Sequence, residues 1–364
     1  MRRIISAVMV VMVFSLIMVP AAATAEEIRI LYEGREVTFP HGIEPVNGVA
    51  TAALSDLVDA IGAQCSFEPS SKRITLRFGE HCLRLSVGSA YAHENGQELT
   101  LQSAVFCRDG TVFVPVEDVM SSLRMGYYTD AETKTIYITR GACEDRIPAD
   151  VNVPILMYHA VSDDLWGSAE LFVSPAEMEK QLAYLQENGY TTITFEDLPR
   201  LDEIEKPILL TFDDGYRDNY TELFPLLQKY EAKATVFVIT DAIGNDLYLT
   251  PEMITEMSES GLVSIQSHTD THPDLDTLNE EDTRREMLDS QLKLMRITGK
   301  QPFVLCYPTG KYSDTTLEVI GDYYAYGLKM NGGIYNTSDD PYRINRVYIS
   351  RYTDISAFAA KIKT

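Results

Sequence analysis

The sequence predicts an α/β protein: a parallel sheet closed into a barrel, preceded by a small α+β domain made of two copies of one unit. Three observations predict it. Residues 28–140 repeat internally at a constant offset. From Val151 onward, short apolar runs alternate with capped, amphipathic helical stretches. Chemistry-capable side chains stand just past three of those runs, where barrel enzymes place them.

The 364-residue chain opens with Arg2 and Arg3, an apolar run from Ile4 to Val19, and Ala23-Thr24-Ala25. This is the pattern of an export signal, residues 1–25, cleaved after Ala25 to leave Glu26 as the mature N-terminus. The run is short for a membrane span and Pro20 breaks it, so an uncleaved anchor is the lesser alternative. No Cys follows it, and no other segment is long and apolar enough to span. The chain is therefore expected to be secreted or at the cell surface. It carries 31 Lys+Arg against 54 Asp+Glu, which argues against nucleic acid and anionic polymers as partners and leaves a neutral substrate as the easiest fit. Five cysteines, Cys65, Cys82, Cys107, Cys143 and Cys306, match no zinc-ribbon spacing. Four precede residue 150, so any disulfide belongs there; free thiols are the alternative.

In the repeat, Glu33–Phe39 (EGREVTF) resembles Asn95–Leu101 (NGQELTL), and Gly34 and Gly96 stand 62 positions apart. The same step carries Asn47-Gly48 to Asp109-Gly110 and Leu54, Leu57 and Ile61 to Val116, Val119 and Leu123. It carries Ser71–Leu76 (SKRITL) to Thr133–Ile138 (TKTIYI) without a gap. Each copy reads as strand, glycine turn, short strand, one amphipathic helix and a hairpin. His41, His81 and His93 have no counterparts in the other copy and are expected on the surface or in loops. The first domain spans 26–142, and a linker with mixed charge follows at 143–150.

The second domain spans 151–364. VPILMY (Val153–Tyr158) is a short buried strand. Ser174, Pro175 and Glu177 begin a helix that stops at Asn188-Gly189. PILLTF (Pro207–Phe212), ATVFVI (Ala234–Ile239), LVSIQSH (Leu262–His268) and FVLCYP (Phe303–Pro308) are strands. The stretches between them, Tyr220–Tyr230, Thr250–Gly261 and Asn279–Gly299, are helical, with Thr250-Pro251 and Asn279…Asp282 as start signals.

Two adjacent carboxylates, Asp213 and Asp214 in TFDDG, follow the second of these strands. Alone they read as a solvated turn. His268 ends a later strand, and HTDTH places His272 four residues on, so a helical turn would aim both imidazoles at one metal ion. A carboxylate would complete a three-ligand set, and a divalent cation would neutralise one Asp while the other stays ionised as a base. Tyr307-Pro308-Thr309-Gly310 ends a third strand.

These motifs resemble those of the polysaccharide deacetylases, carbohydrate esterase family 4. TFDDG matches the first motif, SHTDTHPDL (Ser267–Leu275) the second, and YPTG the third in a subgroup that usually reads YPYG. ILMYHAV (Ile155–Val161) and LQENGYTTIT (Leu185–Thr194) also match that exported subgroup, so the similarity runs from Val151 to the end. The resemblance implies a distorted β/α barrel that removes N- or O-acetyl groups from sugar polymers using zinc or a similar divalent ion. It implies Asp213 as general base, Asp214, His268 and His272 as ligands, and the Thr309 backbone N–H as an oxyanion donor. Two departures stand out. The Arg that begins the third motif in many members is Cys306 here, and no histidine follows His272 to act as general acid. His159, the only other histidine from residue 151 on, is left for that role; the alternative is a structural histidine.

The repeat domain resembles the N-terminal domain of copper amine oxidases, which implies its fold but does not imply copper; a wall-binding or spacer role is the usual expectation for such a domain. The expected function is that of a secreted deacetylase acting on an N-acetylglucosamine-containing polysaccharide. The ion is expected to be Zn2+, with Co2+ or Mn2+ as substitutes. An O-acetyl esterase on xylan and a catalytically weak wall-binding protein are the alternatives.

Overall fold

The computed structural model describes residues 29–364 except 33–34, 80, 124, 131–133, 140–146 and 331. The expected signal, Cys143 and residues 143–146 of the linker lie outside the described residues. Among these, no helix is long and apolar enough to cross a membrane. Cys65, Cys82, Cys107 and Cys306 are free thiols.

The repeat is visible in the backbone itself. Asn47 and Asp109 are both left-handed, as are Lys72 and Lys134, each pair 62 residues apart. The two copies meet through their short hairpins, where Thr51, Ala52 and Ala53 pair antiparallel with Pro115, Val114 and Phe113. Residue 52 thus faces residue 114, its own repeat partner, which places a local two-fold axis at that pair. Helices Leu54–Ile61 and Val116–Ser122 bury Leu57 and Val119 against this seam. The final hairpin, Gly126–Asp130 with Thr135–Thr139, pairs back onto the first strand, Arg29–Tyr32, in parallel. His41 lies exposed in a turn, as expected, and its Nδ1 and backbone N–H both bond the buried Asp56, at 2.9 Å.

Eight strands form the barrel sheet of the second domain. They are β1 (Ile155–Tyr158), β2 (Thr191–Ile193), β3 (Pro207–Phe212), β4 (Ala234–Val238), β5 (Val263–Ser267), β6 (Val304–Cys306), β7 (Tyr326–Leu328) and β8 (Val347–Tyr348). Their order is β7-β6-β5-β4-β3-β1-β8, with β2 beside the first half of β3, and every pairing is parallel. A bridge from Leu328 to Ile344 joins β7 to the segment that runs on into β8, so the sheet curls round toward closure. β2, β7 and β8 are two or three residues long and carry no periodicity that a sequence reading could find.

Side-chain alternation sorts the strands into two faces. Leu156, Leu210, Phe212, Val236 and Ile265 pack outward against helix residues such as Leu182, Leu227, Met257 and Leu294. Ile155, Leu209, Phe237, Val304, Leu328 and Ile344 fill the inside. The helices begin as their caps demand: Ser174, Thr250 and Asn279 each accept the N–H of the residue three positions on.

Candidate metal and hydrolytic centre

The alternation explains why adjacent aspartates differ. Leu209, Thr211 and Asp213 share the inner face of β3, so the Asp213 carboxylate enters the barrel. There it meets Arg346, which is 1% exposed. The two Nη atoms of Arg346 donate to the two carboxylate oxygens at 2.7 Å each, Nη1 also donates to the Thr211 hydroxyl at 3.1 Å, and Nε donates to the Lys329 carbonyl at 2.7 Å. Burial alone would raise the Asp213 pKa, but the guanidinium charge and its paired bonds hold the carboxyl well below the usual range.

Asp214 turns the other way because the chain turns. Its φ is +74°, followed by Gly215 at +72°, where a Cβ would press on Val238 at 3.2 Å. Its Oδ1 then lies 3.4 Å from His268 Nε2 and 3.7 Å from His272 Nε2. Burial would raise this carboxyl too, but the positive charge His268 carries when protonated lowers it. His268 is on the inner face of β5, and its Nδ1 lies 2.7 Å from the Cys306 carbonyl. Donation from Nδ1 leaves the Nε2 lone pair facing Asp214, the orientation a metal ligand needs.

His272 arrives by an unexpected route. The HTDTH segment is a loop, with left-handed residues at Thr269 (φ +65°) and His272 (φ +60°), not a helical turn. Glu286, on the helix Glu280–Thr298, shapes it by accepting the N–H groups of Asp270 and Thr271 at 3.0 and 2.8 Å. Ligand atoms of Asp214, His268 and His272 all fall within 4.8 Å of one another, and these residues fit a divalent cation. Asp213, His268 and Cys306 also converge, but Arg346 Nη2 lies 3.1 Å from the Cys306 sulfur and already places a positive charge there.

His159 follows β1 and is buried, with Nε2 3.8 Å from Asp213 Oδ2. Burial lowers its pKa, partly offset by the two aspartates. Its backbone is pinned from a π-type turn: Asn219 Nδ2 donates to the His159 carbonyl at 3.0 Å, and the Val161 N–H donates to Asp218 Oδ1 at 3.0 Å. Among the described residues, His159 Nδ1 is buried without a protein partner, as is Asp218 Oδ2. Burial raises the Asp218 carboxyl to about 6.

Thr309 sits at φ +54° in the turn Pro308–Gly310, and its hydroxyl donates to Asp274 at 2.7 Å, tying the third motif to the second. Tyr307 is a packed aromatic whose hydroxyl donates to the Tyr342 carbonyl. The sequence reading missed Arg346, Asp218, Asn219 and Glu286. For Arg346 a signal existed: Ile344 and Arg346 alternate on the inner face, and a buried carboxylate pair requires a cation.

The polysaccharide deacetylase family model matches residues 200–326, and the copper amine oxidase N-terminal domain model matches 31–138. The putative polysaccharide deacetylase YxkH of Bacillus subtilis is 36% identical over 218 residues, 58% of this chain and 76% of the relative. A poly-beta-1,6-N-acetyl-D-glucosamine N-deacetylase of Staphylococcus epidermidis is 27% identical over 220 residues, 55% of this chain and 75% of the relative. Among solved structures, the Streptococcus pyogenes deacetylase PplD in complex with acetate aligns at TM-score 0.56 and 32% identity, covering 59% of this chain and all of that one. The chain belongs to the polysaccharide deacetylase family, carbohydrate esterase family 4, and is a hydrolase of that family.

Proposed function

We propose that this chain is an exported, divalent-metal-dependent deacetylase that hydrolyses N-acetyl groups on an N-acetylglucosamine-containing polysaccharide. The observation that carries the reading is a carboxylate clamped by Arg346 directly beside a convergent Asp214–His268–His272 set. The S. epidermidis relative, named for poly-N-acetylglucosamine, supports the polymer class. The leader-like residues 1–25 support export, and the repeat domain is suited to a wall-associated role.

Asp214, His268 and His272 would hold the cation, zinc being the first choice for two imidazoles and a carboxylate. When bound, such an ion polarises the acetyl carbonyl and makes water more acidic. Asp213, kept ionised and fixed in angle by Arg346, takes the proton from the attacking water. Thr309 offers its backbone N–H to the developing oxyanion, since a helical turn does not itself use the amides at its start. His159 gives a proton to the departing amine, which is a poor leaving group as an anion. Cys306 in place of the usual Arg does not deprive the base of its partner, because Arg346 reaches the same carboxylate from β8's approach.

The test is acetate release from peptidoglycan, poly-N-acetylglucosamine, chitin and acetylated xylan, with and without chelator. Chelator-sensitive release from an N-acetylated polymer is expected; release only from xylan would replace the amide reading with an ester one.

A further inference from the structure

Several of the barrel domain's exposed large apolar side chains gather near the catalytic mouth. Leu165 is 49% exposed and Trp166 37%, both in the loop after β1, and Leu247 is 44% exposed. Trp166 stands edge-on to the buried Phe172 at 4.7 Å and to Tyr216 at 5.7 Å between ring centroids, and Tyr216 tilts against Tyr248 at 5.3 Å. Backbone bonds zip this wall to the first motif: the Arg217 N–H donates to the Leu247 carbonyl, and the Leu249 N–H to the Gly215 carbonyl. Tyr216 stands two residues past Asp214, with only Gly215 between them, and its backbone bridges that of Tyr248. The aromatic wall is therefore continuous with the candidate ligand set.

We propose that Trp166, backed by Phe172, Tyr216 and Tyr248, is a stacking platform that seats a pyranose ring of the polysaccharide beside the hydrolytic centre. It rests on the reading of the chain as a deacetylase of an N-acetylated polymer. A pyranose presents an apolar C–H face and a polar rim, and an aromatic wall with a few polar tips matches both. An exposed apolar patch continuous with a reaction centre needs an occupant. The flanking charge decides between a glycan and a membrane surface. Asp163 and Asp164 precede Leu165, and Asp246 precedes Leu247. These carboxylates disfavour an anionic bilayer, and they suit a neutral glycan or one that already bears freed amines.

Trp166 is the only tryptophan in the chain, so intrinsic fluorescence of the full-length protein reports on it directly. Titration with soluble β-1,6- and β-1,4-linked N-acetylglucosamine oligomers should give a saturable change. Trp166→Ala should raise KM roughly tenfold, the scale of one lost aromatic contact, with kcat and metal content unchanged, and Trp166→Phe should recover part of the loss. Acetate release measured in the same samples separates the two ideas. Acetate released without a fluorescence change, and with an unaltered KM in Trp166→Ala, overturns the platform and leaves the deacetylase standing. A saturable change without acetate from any polymer keeps the platform and overturns the reaction. A response to phosphatidylcholine vesicles and not to oligosaccharide replaces the glycan with a membrane and overturns the proposal.

Discussion

The two domains spend backbone strain and buried charge in different places. In the repeat domain the left-handed residues Asn47, Asn95 and Asp109 each precede a glycine at a hairpin turn, and Asn47 and Asp109 recur at the repeat offset. Its core is almost wholly apolar, with Asp56 its one buried carboxylate among the described residues. From Asp150 on, four of the seven left-handed non-glycine residues among those described are Asp214, Thr269, His272 and Thr309, all at the strand-end site. The same region buries Asp213, His159, His268 and Arg346. Strain that recurs in turns serves the fold. Strain and charge gathered at one end of a barrel mark a site whose geometry the surrounding fold must enforce.

If that contrast is right, breaking the charge network costs most. Arg346→Leu should leave Asp213 buried and unpaired, lowering stability by about 3–5 kcal/mol and lowering turnover as well. Restoring the guanidinium from the other side, as Cys306→Arg with Arg346→Cys, should recover part of both. Thermal unfolding and acetate release read the two effects; an Arg346→Leu protein as stable and active as wild type would remove the clamp from the account.

His159→Ala should lower turnover on N-acetyl substrates by ~10²–10⁴-fold without loss of metal or fold. An O-acetyl ester should suffer less, because an alkoxide leaves more readily. Loss of metal in this variant would mean that the ligand set is misassigned.

Asp218 sharpens the comparison through pH. Its folded pKa of about 6 lies above the ordinary 3.8, so its contribution is full below the unfolded value and is lost as pH rises through the folded one. Ionised at pH 7.5 it should cost on the order of 3 kcal/mol, which Asp218→Asn would relieve. Melting curves of both proteins should coincide more closely near pH 4 and diverge toward neutrality, with the variant higher; equal melting at pH 7.5 would contradict this.

The smallest effect is expected from the other half of the molecule. Deleting residues 26–142 should leave turnover on a small soluble N-acetylglucosamine oligomer unchanged. Complete loss of activity in a folded truncation would mean that the repeat domain shapes the site.

The legible parts of the sequence were those where local chemistry repeats or caps. The offset of 62, the N-caps at Ser174, Thr250 and Asn279, and the longer strands β3, β4 and β5 all follow from spacing that a few neighbouring residues carry. Asp214, His268 and His272 were legible because they stand at strand ends in recognisable motifs. Arg346 was harder to find, because its partner is 133 positions away in sequence and only its alternation with Ile344 hints at an inward direction. Trp166 was not legible, because its meaning comes from a loop folded against Tyr216. The route of His272 was misread, since i, i+4 spacing suggests a helix and nothing local discloses that Glu286 holds a loop instead.

The central claim is that Asp214, His268 and His272 together hold the ion on which hydrolysis depends. Elemental analysis of the dialysed full-length protein, paired with acetate release, tests it most directly. One divalent ion per chain is expected in wild type and in His159→Ala, and none in His268→Ala or His272→Ala, with acetate release lost alongside the ion. Full acetate release from metal-free His268→Ala would contradict the claim.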